Sequence, residues 1–175
     1  MFWTQIFDLV LGIGIVITQA GILGLAGLHL FGKHTALYRW IGKYAVPAAF
    51  FLALGGLLGS LVYSEVIGLE PCLYCWWQRV IIYPQVLLLG IAWWKNEITV
   101  IKKYAITLSV VGVGLGIYHY LAQKISAVAD ATNCSVAGGV SCSGSYINVF
   151  GYITIPMMSL TILVAIILLL SMKKN

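Results

Sequence analysis

The chain has 175 residues, 61% hydrophobic and only 9% charged, with a mean hydropathy of +0.99. A soluble domain carries about 25% charge, so the composition excludes one and indicates an all-α polytopic membrane protein. The net charge of +5 implies no nucleic-acid partner, because the basic residues sit at the ends of apolar runs, where they meet membrane lipid.

Five runs have the roughly 20 apolar residues that a bilayer crossing needs. They are Gln5 to Phe31, Tyr44 to Tyr63, Cys75 to Trp94, Tyr104 to Leu121 and Val149 to Ser171. The first run lacks the basic n-region and short h-region of a cleavable signal and is expected to persist as a helix. It is rich in glycine (Gly12, Gly14, Gly21, Gly24, Gly27), as are the second, with Gly55-x-x-x-Gly59, and the fourth, with Gly112-x-x-x-Gly116. Small faces let membrane helices approach closely, so helix packing is the expectation for all of them. Pro84 and Pro156 each remove a backbone bond and predict kinks in spans three and five.

Basic residues predict the orientation. Lys33, Arg39 and Lys43 follow span one, Lys95, Lys102 and Lys103 follow span three, and Lys173 and Lys174 follow span five. These segments share one side, which the positive-inside rule makes cytoplasmic, with the N-terminus outside and the C-terminus inside. Both cysteine pairs, Cys72/Cys75 and Cys134/Cys142, then fall on the oxidising outer side, where disulfides persist.

The first pair opens span three in Glu70-Pro71-Cys72-Leu73-Tyr74-Cys75-Trp76-Trp77-Gln78-Arg79. On a helix, Cys72, Cys75 and Arg79 at i, i+3 and i+7 share a face. Pro71 suits the first turn. A helix N-terminus and a nearby arginine both favour thiolate. Arg79 is placed to polarise a quinone carbonyl, or else snorkels to the interface. Trp76 and Trp77 are belt residues by default, and either is able to wall an aromatic cofactor. His119, near the outer end of span four, is expected to bond within the bundle or to touch a quinone. The second pair lies in the small, flexible outer loop 122–148.

Four outward cysteines leave three readings: two static disulfides, a metal site, or a redox relay. The second pair has seven intervening residues where zinc sites use two to four, so no metal is expected. A relay accounts for a loop pair that meets a soluble partner and a membrane-edge pair that meets a lipid-soluble oxidant.

The segment from Glu70 to Arg79, followed by Tyr83-Pro84, resembles the DsbB family of quinone-dependent disulfide oxidoreductases, most closely its short Gram-positive, BdbC-like branch. The sequel Tyr146 to Pro156 is similar as well, and the likeness spans about Tyr44 to Ser171. The resemblance implies a four-helix bundle over 44–175, with residues 1–43 adding an N-terminal transmembrane helix. It implies a bacterial cytoplasmic membrane protein that reoxidises a DsbA-like thioredoxin-fold partner and reduces a quinone, menaquinone or ubiquinone. By position, Cys134 meets the partner, Cys142 is its pair, Cys72 exchanges with the loop pair, and Cys75 faces the quinone beside Arg79. A vitamin K epoxide reductase-like protein is the second enzyme reading, but there the loop pair precedes the Cys-x-x-Cys. A non-enzymatic scaffold with two structural disulfides is the remaining alternative.

Overall fold

The structure, a computed structural model, describes residues 2–96, 98–125, 128, 141–144 and 146–172. Five long helices account for nearly all of it: α1 (Phe2–Phe31), α2 (Ala36–Leu61), α3 (Leu73–Lys95), α4 (Ile98–Lys124) and α5 (Ile155–Ser171). Among the described residues there is no strand, only one antiparallel bridge between Val149 and Ile153. The helix breaks follow local chemistry. Thr35 caps α2 by accepting from the Tyr38 amide at 3.2 Å, an N-cap role suited to a threonine. Asn96 ends α3 in the left-handed region at φ 57°, which asparagine tolerates. At the other end α2 continues into a π-helical turn, Val62–Val66, and Gly68 at φ +77° turns the chain toward the first cysteine pair.

Helices α2 to α5 form a four-helix bundle in which α3 packs on α2 and α4, and α5 closes the ring against α4 and α2. Helix α1 docks outside it, mainly on α5. The bundle is apolar outward and carries its polar groups inward. Gln78, Gln85, Ser109, His119, Thr154, Ser159 and Thr161 are buried, while Leu23, Leu87, Val111 and Trp94 are among many large apolar side chains on the surface. That inversion fits a bilayer, where unsatisfied polar groups must face protein. Ser109 on α4 donates to Gln85 on α3 at 3.1 Å in this interior. Helices α1, α2 with its π turn, and α4 are each long and apolar enough to cross a membrane, whereas α5 is apolar but shorter. Gln78, Arg79 and Gln85 make α3 more polar.

Two expectations are corrected. Span five begins at Ile155, because Val149 to Ile153 are held in the bridge. Pro156 lies in the first turn of α5, where its missing N–H costs no helical bond, so it interrupts nothing. Pro84 lies inside α3. The glycines also divide. A Cβ on Gly112 would come within 2.7 Å of Leu163, and one on Gly12 within 2.6 Å of Val149, so these two are true contact glycines. Gly14, Gly21, Gly24, Gly27 and Gly55 have nothing within 4 Å of that position and do not pack helices.

Two polar clamps pin α1. The Tyr63 hydroxyl donates to Asp8 at 2.8 Å, with Phe7 edge-on to the Tyr63 ring. Further along, Gln19 donates to Thr161 at 3.2 Å and accepts from the Tyr152 hydroxyl at 2.8 Å.

Candidate functional site

Cys72 is not inside α3 but is its N-cap, with Pro71 preceding the helix rather than opening it. Its backbone is extended, and its sulfur accepts from the Cys75 amide at 3.4 Å. A sulfur used as a helix cap sits where the helix dipole favours an anion. Cys72 and Cys75 are thiols whose sulfurs lie 3.1 Å apart. His119 of α4, fully buried, reaches in with Nε2 3.6 Å from the Cys72 sulfur. A ring N–H at that atom donates to a thiolate. The hydrogen bond shared with Cys75 and then the contact with His119 hold the Cys72 thiol down to about 4, against burial, which raises it.

That shift has a sign that alkylation reads directly. An ordinary thiol, with a pKa near 8.5, reacts about tenfold more slowly for each pH unit below it. Cys72 is expected to be alkylated at a nearly constant rate down to about pH 5, slowing only as the pH falls through its value of about 4. Peptide mass spectrometry of timed alkylation, after reduction, measures this. Slowing from about pH 8 downward would show an unactivated thiol.

The second pair meets the first. Cys142 is disulfide-bonded and buried, and it packs against Cys72 in a small cluster with Tyr74 and Cys75. Cys134 lies outside the described residues. The donor atoms of Cys72, Cys75 and His119 all lie within 4.8 Å of one another. When the pair is reduced this is a soft donor set, one ligand short of the tetrahedral sites zinc prefers.

Beneath the cysteines a cavity of about 430 Å³ opens into the bundle. Cys72, Cys75, Arg79 and His119 line it, and the loop residues Ser141, Gly144 and Tyr146 border it. Arg79 turns into the bundle rather than out to the interface. Its Nε donates to the Ser60 hydroxyl at 2.9 Å and its Nη2 to the Ser60 carbonyl at 3.1 Å. The guanidinium also stacks over the Trp76 ring, with Cζ 5.3 Å from the centroid. Trp76 itself is half-exposed and does not line the cavity, so it reaches the site only through Arg79.

Sequence reasoning missed Gln78 and Ser60. Gln78 lines the cavity at 3% exposure, and its Nε2 is a buried donor with no hydrogen-bond partner among the described residues. A polar side chain inside an apolar run was the available signal for it. Ser60 had none, since a serine within a glycine-rich face reads as a small packing residue.

A capping thiol, a vicinal second thiol, a disulfide-bonded cysteine and a mainly apolar cavity are thus brought together in a polytopic membrane protein. The chain belongs to the DsbB family: residues 42–172 match the family described as "Disulfide bond formation protein DsbB". Its relatives include "Disulfide bond formation protein C" of Bacillus subtilis, 42% identical over 128 residues, 73% of this chain and 91% of that protein. A "Probable disulfide formation protein C 1" of Bacillus anthracis is 41% identical over 67% of this chain and 83% of its own length. A "Probable disulfide formation protein" of Chlamydia pneumoniae is 34% identical over 79% of this chain and 98% of its own. No solved structure matches. The chain is thus a polytopic membrane protein of disulfide bond formation, and an oxidoreductase by family. The matched residues begin inside α2, which leaves α1 outside them.

Proposed function

We propose that this protein reoxidises an extracytoplasmic, DsbA-like thioredoxin-fold oxidase and delivers the electrons to a membrane quinone, menaquinone or ubiquinone. The observation that carries the proposal is the packing of disulfide-bonded Cys142 against the Cys72–Cys75 thiols, at the mouth of a cavity holding Arg79 and Gln78. The partner dithiol attacks the loop disulfide through Cys134, leaving the partner oxidised and Cys134 and Cys142 as thiols. The loop dithiol then reduces a Cys72–Cys75 disulfide through a bond between Cys142 and Cys72. The Cys72–Cys75 disulfide is restored when that pair gives up two electrons and two protons.

The residues of the cavity fit a quinone. Its walls are mainly apolar, Gln78 offers a buried unpaired N–H, and Arg79 has guanidinium donors beyond the two that Ser60 holds. A quinone held there would supply the two-electron, two-proton acceptor for the Cys72–Cys75 dithiol. Both thiols line the cavity; Cys75, one turn from Arg79, takes the acceptor's side of the exchange, and Cys72, packed on Cys142, exchanges with the loop. Arg79 and Gln78 orient the acceptor's oxygens, and His119 steadies the Cys72 thiolate.

In this reading the protein crosses the bacterial cytoplasmic membrane five times, N-terminus out and C-terminus in, with both cysteine pairs outside. Residues 1–43 are an added helix and loop on the functional bundle of 44–175. Purified protein is expected to oxidise a reduced thioredoxin-fold partner catalytically only when a quinone is supplied. An impermeant thiol reagent applied to reduced, intact cells should label Cys72. Catalytic oxidation without quinone, or labelling only from the cytoplasmic face, would sink the corresponding half of the proposal.

A further inference from the structure

Helix α1 lies outside the residues that match the family, yet it contributes a full face to the cavity. Val10, Leu11, Gly14, Ile15 and Thr18 line it. Their spacing of i, i+1, i+4, i+5 and i+8 is one helical stripe. On the other side stand Cys75, Arg79 and Gln78 of α3 and Gly55 and Gly56 of α2. Among the α1 glycines, Gly14 is the one on this stripe, and nothing lies within 4 Å of the point where its Cβ would be. The missing side chain is cavity space. Gly12, two residues earlier, is instead pressed onto Val149.

The helix is also held in register. The Asp8–Tyr63 clamp sits about 9 Å from Gly14 along the axis and the Gln19 clamp about 7.5 Å on its other side, at 1.5 Å per residue. A helix that merely leaned on the bundle would not need polar bonds to it on both sides of its one cavity-facing glycine.

We propose that α1 is the lateral wall of the quinone site, and that the absence of a side chain at Gly14 sets the width available to the bound quinone. This rests on the functional reading above and adds to it a residue and an element that decide which acceptor enters. The stripe is apolar except for Thr18, as suits the chain-bearing side of a quinone, while the polar donors lie opposite on α3.

The test uses the full-length protein and two probes, a short-chain ubiquinone and a short-chain menaquinone, with dissociation constants measured by calorimetry. Gly14→Leu fills the space and, leucine being the better helix former, does not weaken the helix. It is expected to raise both constants by about tenfold or more, while alkylation of Cys72 proceeds as in wild type. Gly24→Leu, at a glycine that neither packs nor lines the cavity, should leave the constants unchanged. A photoactivatable azidoquinone on the wild-type protein should attach to the peptide carrying residues 10–18. Wild-type affinity in Gly14→Leu would overturn the wall while leaving the functional reading standing. Failure of the wild type to bind either quinone would overturn both. Should Gly14→Leu lose Cys72 reactivity as well, the photolabel decides: attachment confined to α3 or α4 would refute the proposal.

Discussion

Replacing Cys75 by serine is expected to stop quinone-coupled oxidation of the partner and to trap Cys72 in a disulfide with the loop. Loss of a residue that reacts covalently costs at least about three orders of magnitude in turnover. The trapping follows from geometry. Cys72 keeps its helix-cap position and its His119 contact in the variant, because neither depends on the Cys75 sulfur. It still packs against Cys142 and attacks its disulfide, joining Cys72 to Cys142 and freeing the Cys134 thiol; without Cys75 only the return attack of Cys134 undoes that bond. Digestion without reduction should yield a peptide joining Cys72 to Cys142. Replacing Cys134 and Cys142 together by serine should abolish turnover as completely, with no such peptide. Near-normal rates in the double variant would mean that the loop pair is only a staple. A Cys75→Ser protein with no cross-linked peptide would mean that the two pairs do not exchange.

Much of this arrangement could be read from spacing. The five helices follow from apolar runs, and the meeting of Cys72, Cys75 and Arg79 follows from helical periodicity carried one residue past the helix start. What could not be read was contact between distant segments. His119 is separated from Cys72 by 47 residues and reaches it only because α3 and α4 pack side by side. Ser60 meets Arg79 because α2 and α3 are antiparallel neighbours joined by the turn at Gly68. The glycines were misjudged for a related reason. Composition marks a small residue but not its direction, so Gly12 against Val149 and Gly14 facing open space look identical in sequence. The start of α5 moved because Val149 and Ile153 satisfy each other's backbone groups, a local closure that hydropathy does not detect.

Arg79→Ala is expected to weaken quinone use by about a hundredfold in kcat/KM, as for loss of one preorganised donor to a developing oxyanion, while exchange between the partner and the loop pair continues. A cation in an apolar cavity counts for more than one in water, and the fork of Arg79 is already held by Ser60 and lies over the Trp76 ring. Arg79→Lys should fall between, because lysine keeps the charge but not the planar fork. Ser60→Ala removes the bond to Nε and leaves the carbonyl bond to Nη2, so a loss of only a few fold is expected. The effect in all three should appear mainly in the dependence on quinone concentration. Steady-state kinetics against quinone, beside a quinone-free assay of the mixed disulfide with the partner, separates the possibilities. Unchanged quinone dependence would reduce Arg79 to a tie between α2 and α3. Equal loss in both assays would show that it supports the fold around the Cys-x-x-Cys. Loss in the quinone arm alone, graded from alanine through lysine to Ser60→Ala, is the outcome that a donor aimed into the cavity requires.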